Sequence, residues 1–461
     1  MAGLVRRVRK RALRHSAQRA FLRGAWRGRK RLRSTNSRRG SLMGDARKKG
    51  AILVIGGGVA GITAAVEAAE VGYPVYLIEK EPFLGGRVIR INQYFPKLCP
   101  PTCGMEINFK RMKSNPLITP YTLSEVAEVR GGEGAYEVKV KIRPRFVNER
   151  CTACGKCGEA CQTEVPNPFN YGMDRIKAAY MPRETAFPQR YVLAPEVIGT
   201  EDAKRCQEAC AYGAIDLTMA PRTLELKVAS IIVATGWEPY DAARVDNLGF
   251  GKVKNVINNV MMERLGATNG PTGGRIIRPS DGKEVKNIAF CQCAGQRDEN
   301  HLPFCSRVCC LASLKQAHYV RQRYPDSKVS MFYIDLRAMG RNEDFLAKIQ
   351  ADEKVQLIKG KIAKVTEDPD TKDVIVEAEA TAAGAISRLR VDMLVLATGM
   401  VPSTAREKIP GIPDGYDAYG FFLDTPGIYG TGCVKRPLDV AATVQDATGA
   451  ALRAIQSAVG R

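Results

Sequence analysis

Three histidines, two tryptophans and no run of about eighteen apolar residues: these are the scarcities of this 461-residue chain. With only His15, His301 and His318 available, histidine-based acid–base work has few candidates, and no Ser/His/Asp arrangement suggests itself. The missing apolar run excludes an integral membrane protein built on helices. Acidic residues are absent from positions 1–42, which hold fifteen Lys or Arg; from Met43 onward 55 basic residues face 48 acidic ones. Most of the +22 net charge therefore sits in a leading segment. Residues 1–43 read as a disordered or non-native basic leader, with Met43 as a natural start, and the charge gives no reason to expect nucleic-acid binding by the body. Fourteen cysteines are too sparse for a disulfide scaffold at this length and too clustered for core residues, so metal or redox chemistry is the better reading.

What is present begins with an apolar run, residues 51–55, that ends in Gly56-Gly57-Gly58-Val59-Ala60-Gly61 and continues into Ala-rich helix formers. A second strand over 75–78 ends at Glu79. Strand, glycine turn, helix and strand open a parallel α/β sheet. Gly56, Gly58 and Gly61 form G-x-G-x-x-G: the first makes the turn, the second admits a pyrophosphate, the third lets helix and strand pack. Glu79 is placed to accept a ribose hydroxyl.

Gly86 and Arg87 follow the second strand, and Ala234-Thr235-Gly236 and Ala397-Thr398-Gly399 each end a strand. Paired Ala-Thr-Gly turns resemble those of two-dinucleotide-domain flavoproteins, which implies FAD. The segment Gly430-Thr431-Gly432-Cys433 resembles one that contacts FAD in that class, with Cys433 where Asp is usual. A helix from about residue 438 would aim its N-terminal dipole at the flavin ring. A second glycine turn is missing throughout 285–340, where the strand 287–290 runs instead into Cys291-Gln292-Cys293-Ala294-Gly295-Gln296, so nicotinamide binding there is not expected.

Cys151-x2-Cys154-x2-Cys157-x3-Cys161 is a ferredoxin run, and Cys206-x3-Cys210 reads as a second half that has lost two cysteines. Since the fourth cysteine of such a run serves the other cluster, Cys151, Cys154, Cys157 and Cys210 are the preferred ligands of one [4Fe-4S] cluster. Cys161 and Cys206 are then survivors of a lost cluster, too few to hold one themselves; the alternative uses Cys161 as fourth ligand. A second quartet, Cys293, Cys305, Cys309 and Cys310, with Cys291 a spare, could hold another cubane where thiolates gain from a helix start. Buried structural cysteines and a zinc site are the other readings of that group. Cys99-Pro100-Pro101-Thr102-Cys103 is either a redox dithiol, which would make the chain an NAD(P)H-dependent disulfide reductase, or a rigid turn.

The expected architecture is a two-dinucleotide-binding-domain α/β flavoprotein with a ferredoxin-like α+β insertion. Its parts are the FAD-binding domain over 44–145, the insertion over 146–220, an FAD-domain return over 221–245, a degenerate NAD-type domain over 246–385, and the last FAD part over 386–461. The glycine turn, the inserted cysteine run and Gln292-Cys293-Ala294-Gly295-Gln296-Arg297 with Cys305-Ser306-Arg307-Val308-Cys309-Cys310 resemble the heterodisulfide reductase A-subunit family. Within it, residues 70–76, 95–104 and 258–264 look like the branch found in the quinone-interacting membrane-bound oxidoreductase (Qmo). That resemblance implies a cytoplasmic flavin and iron–sulfur protein, peripheral at the inner face of the membrane through its partners. Those partners would be the other members of the complex, among them a quinone-reactive one in the membrane, and adenylylsulfate reductase.

Overall fold

The computed structural model describes residues 50–380 and 385–460, so the basic leader expected over 1–43 lies outside the described residues. In chain order come β1 (Ile52–Ile55), α1 (Val59–Glu70), β2 (Val75–Glu79), α2 (Thr102–Ser114), β3 (Ile118–Thr122), β4 (Ser124–Gly132) and β5 (Ala135–Ile142). The insertion carries α3 (Lys156–Ala160) and α4 (Glu201–Glu208). Then follow β6 (Arg222–Val228), β7 (Ser230–Val233), β8 (Val256–Asn258), α5 (Asn259–Gly266), β9 (Asn287–Ala294), α6 (Cys309–Arg323), β10 (Lys328–Tyr333) and β11 (Val355–Glu367). The chain continues through β12 (Val374–Ala380), β13 (Ala385–Val391), β14 (Met393–Thr398), β15 (Ile428–Gly430) and α7 (Val440–Ala458).

The first sheet is wholly parallel, in the order β15-β7-β1-β2-β3. All four residues of β1 are buried, as a strand covered on both faces requires, and each such side chain contributes about 1.5–3 kcal/mol. One face is covered by α1 and α7, whose buried contact residues are mostly alanine: Ala64, Ala65 and Ala68 on α1, and Ala447, Ala450 and Ala454 on α7. Small side chains let two helices and a sheet approach closely. The other face meets the three-stranded antiparallel sheet β6-β5-β4 through Val126, Val138, Val140 and Leu226.

The second sheet has seven strands in the order β8-β14-β9-β10-β11-β12-β13, parallel from β8 to β11 and antiparallel beyond. This corrects the boundary expected at residue 386. Both β13 and β14 belong to the second sheet, and the strand that returns to the first is β15. The final helix starts at Val440, where the Asp439 carboxylate accepts from Ala442 N at 2.8 Å. Among the described residues no helix is long and apolar enough to cross a membrane.

Candidate functional site

Where β1 ends, the glycines separate into two kinds. A Cβ on Gly56, at φ +109°, would stand 2.4 Å from Ala234 O, and one on Gly61 would stand 1.8 Å from Gly56 O, so both are fixed by packing. A Cβ on Gly58 would meet nothing nearer than Gly86 Cα at 3.9 Å. The space beyond Gly58 is open. The helix that starts there has no side-chain cap and no acid in its first turn, which leaves its amides free for an anion. These features fit a diphosphate. A cleft of about 290 Å³ opens at this turn, lined by Gly56, Gly58, Glu79, Gly86, Arg87 and Thr235 among others.

Glu79 is buried, with its carboxylate accepting from Gly57 N at 2.7 Å and Glu81 N at 2.8 Å. Burial pushes its pKa up to about 7 against the pull of those amides. Arg87 donates to Trp237 O and lays its guanidinium 5.2 Å from the Trp237 ring. Trp237 and the segment around Ser403, Thr404 and Lys408 also line the cleft, and sequence reading missed them. Trp237 directly follows an Ala-Thr-Gly turn, the one signal that could have found it. Ala234 lines the cleft as well, and Gly236, at φ +76°, completes that turn. Gly432 packs on α1, where a Cβ would lie 2.9 Å from Ala60 Cβ. The carboxylate near it is Asp446 of α7, which accepts from Gly432 N and Thr431 Oγ1 at 2.9 Å each. Cys433 turns away, its Sγ 3.4 Å from Leu438 O.

In the insertion, Cys151, Cys154, Cys157 and Cys210 line one small pocket, walled by Val147, Ile215 and Tyr191. The turn before α3 holds Ala153 at φ +61° and Gly155 at φ +88°, and Ala214 N donates to Cys210 Sγ at 3.3 Å. Burial, then the neighbouring Cys151, pushes Cys157 up to about 12 in the absence of metal. Cys161 and Cys206 are not in that lining. They lie together, buried, with Asp202, apart from the four cysteines that share the lining.

The third constellation lies at the end of β9. Cys293 (φ +57°), Arg297 (φ +51°) and Arg307 (φ +64°) are non-glycine residues in the left-handed region within one loop, strain of the kind that accompanies functional sites. Gln296 organises that loop. Its amide donates to Ala397 O at 3.0 Å and stands 3.3 Å from Cys309 Sγ, and its carbonyl accepts from Ser306 N at 3.0 Å. Cys309 and Cys310 begin α6, which also lacks a side-chain cap and an acid in its first turn. Burial comes first in pushing Cys309 to about 12 and raising Cys293 and Cys310, and the neighbouring thiols push these three further. Cys291 instead sits in the core of the second sheet. Thr398 and Gly399, expected to contact FAD, stand at this loop: Cys309 Sγ lies 3.7 Å from Thr398 O, and a Cβ on Gly399 would meet Gln296 Cγ at 2.6 Å. They do not line the first-sheet cleft, because β14 belongs to the second sheet.

Spacing separates cluster from single ion. Sulfurs around one tetrahedral zinc, with Zn–S about 2.3 Å, lie roughly 4 Å apart. Among the described residues only Cys161, Asp202 and Cys206 bring three such ligand atoms within 4.8 Å of one another. The two quartets are more open, as ligands on four different irons must be. Cys99 and Cys103 are exposed thiols, Cys103 on α2 and Cys99 in the tight loop before it, and neither lines the cleft.

Residues 51–91 match the family profile of FAD-dependent oxidoreductases. The chain is 38% identical over 417 residues to an iron–sulfur A-subunit, the one numbered 2, of the CoB–CoM heterodisulfide reductase of Methanopyrus kandleri, covering 87% of this chain and 63% of that protein. It is 36% identical over 419 residues to the A-subunit of the H2:CoB–CoM heterodisulfide, ferredoxin reductase of Methanothermobacter thermautotrophicus, again with 87% and 63% covered. The chain thus spans under two thirds of the length of these relatives. Among solved structures, the thioredoxin reductase of Lactococcus lactis superposes with a TM-score of 0.50 at 14% identity, covering 90% of this chain and all of that one. That likeness establishes the two-dinucleotide-domain fold.

Proposed function

This chain belongs to the heterodisulfide reductase A-subunit family, and we propose that it works as the FAD- and iron–sulfur-carrying electron-transfer subunit of a multisubunit oxidoreductase. The observation that carries the reading is the presence, in one compact unit, of an uncapped glycine-turn cleft and two cysteine quartets too open for single ions. When bound, FAD supplies the conversion between electron pairs and single electrons, which suits it to work beside one-electron clusters. The free amides at the start of α1 hold the diphosphate, Glu79 receives the ribose hydroxyls, and Arg87 and Trp237 close the cleft wall. Cys151, Cys154, Cys157 and Cys210 hold one cluster; Cys293, Cys305, Cys309 and Cys310 hold the other. Buried thiols with pKa near 12 bind metal only on losing their protons, so cluster assembly releases protons and exposes both quartets to acid.

Residues 70–76, 95–104 and 258–264 support the finer reading that the complex is Qmo-like. It would pass electrons between a quinone-reactive partner in the membrane and adenylylsulfate reductase, with this chain held at the inner face of the membrane. The test is oxidation of the dithionite-reduced protein by adenylylsulfate reductase, followed through flavin and cluster absorbance. Fast reoxidation supports the reading. Reoxidation no faster than with an unrelated flavoenzyme, or rapid bleaching by NADH alone, would turn the assignment towards a disulfide reductase using Cys99 and Cys103.

A further inference from the structure

The buried trio Cys161, Asp202 and Cys206 has no part in the function above. Counting back from Cys210 at the ferredoxin spacing, the ligands of a second cubane fall at 206, 203 and 200, where this chain has Cys206, Ala203 and Thr200. Thr200 caps α4 instead, accepting from Ala203 N at 3.4 Å. Two thiolates are gone, and Cys161 and Cys206 alone cannot hold a cubane. Asp202 stands in the vacated space. Its carboxylate accepts from Gln162 N at 2.9 Å and Thr163 N at 2.7 Å, pairs with Arg205 at 2.8 Å, and lies 3.4 Å from Cys161 Sγ. Cys161 is 2%, Asp202 5% and Cys206 0% exposed.

We propose that Cys161, Asp202 and Cys206 hold a single divalent thiophilic ion, zinc or ferrous iron, where a cubane has been lost. The three ligand atoms lie within 4.8 Å of one another, the compactness one tetrahedral ion demands and neither quartet shows. Two sulfurs select a soft or borderline ion over magnesium or calcium. Charge balances as well: the ion displaces two thiol protons, the two thiolates cancel its charge, and the remaining carboxylate charge is already paired with Arg205. The fourth position is left to water or to Thr163 O, which lies 3.5 Å from Cys161 Sγ. Bound there, the ion ties the end of α3 to α4.

The test uses the full chain, purified anaerobically without chelator, with metals and acid-labile sulfide counted together. About one metal atom per chain unaccompanied by sulfide is expected. Cys206→Ser should remove it and leave the sulfide count unchanged. Asp202→Asn, which keeps shape and packing, should lower its occupancy at least tenfold. Cobalt(II) exchanged into the wild-type chain should give a thiolate-to-cobalt absorption in the near ultraviolet that Cys206→Ser lacks. Chain that keeps its sulfide but binds neither zinc, excess iron nor cobalt would overturn the proposal. So would a Cys161–Cys206 disulfide recovered after alkylation, or loss of sulfide together with the metal in Cys206→Ser.

Discussion

The wholly parallel first sheet and the parallel part of the second use one device for two purposes. In each, a central strand (β1 between β7 and β2, β9 between β14 and β10) runs into a turn that leads to a helix with no side-chain cap. At the first turn the side chains have been deleted, and Gly58 leaves open space. At the second they have been put back: Gln296, Ser306 and Cys309 fill the loop and bond one another. A helix start favours negative charge whatever carries it, so glycines there leave room for a phosphate and cysteines place thiolates for iron. The fold provides the polarity, and the residues in the turn decide which anion receives it.

Four experiments press on that contrast. The largest effects divide the glycines. Gly61→Ala drives a methyl into Gly56 O and should cost about 3 kcal/mol or more, seen as lost soluble protein or a collapsed melting temperature. Gly58→Ala enters open space, so the melting temperature of the flavin-free chain should shift by no more than about 2 °C while flavin affinity falls at least tenfold. Retained flavin in Gly58→Ala would break the first half of the comparison. Next, Cys309→Ser and Cys154→Ser should each remove about four irons and four sulfides while leaving flavin in place; loss of both clusters from either variant would show that the sites are not independent.

A smaller effect is expected from Gln296→Ala, which removes a bond to Ala397 O and leaves Ser306 N buried without its partner, at about 1–3 kcal/mol. Calorimetry should show the destabilisation, and the redox midpoint of the second cluster should move while that of the insertion cluster stays. The mildest is a pH effect. Burial raises Glu79 to about 7, so this carboxyl is protonated below that pH, whereas in the unfolded chain it ionises near 4.5. Folding of the flavin-free chain therefore has the full benefit of the neutral acid below pH 4.5 and loses it as pH rises through about 7. Flavin binding runs the opposite way, because only the ionised carboxylate accepts both ribose hydroxyls. Flavin retention should rise several-fold from about pH 6 to about pH 8 in wild type and stay flat in Glu79→Gln.

The strand–turn–helix of the first sheet was legible because its requirements are local: an apolar run, glycines at fixed offsets, an acid one strand later. The sheet joined by β14 was not, because Ala397-Thr398-Gly399 looks like Ala234-Thr235-Gly236 and only pairing distant in sequence, Ile288 with Met393, tells them apart. The same limit hid Gln296, an ordinary residue until Ala397 and Ser306 arrive beside it. Cysteine spacing pointed to Cys210 with Cys151, Cys154 and Cys157, but it could not show Asp202, a residue outside the cysteine pattern, joining the two survivors. Cys433 stands where a carboxylate is usual, and spacing could not show that Asp446, thirteen positions on in the second turn of α7, bonds Gly432 N.

The central claim is that both cysteine quartets carry cubanes beside one flavin. Acid-labile sulfide per FAD in anaerobically purified chain tests it most directly, since sulfide counts cubane and ignores any single ion. The account predicts about eight sulfides per FAD, four for each cluster. About four, with Cys309→Ser no lower than wild type, would reduce the second turn to a structural loop, and none at all would contradict the account.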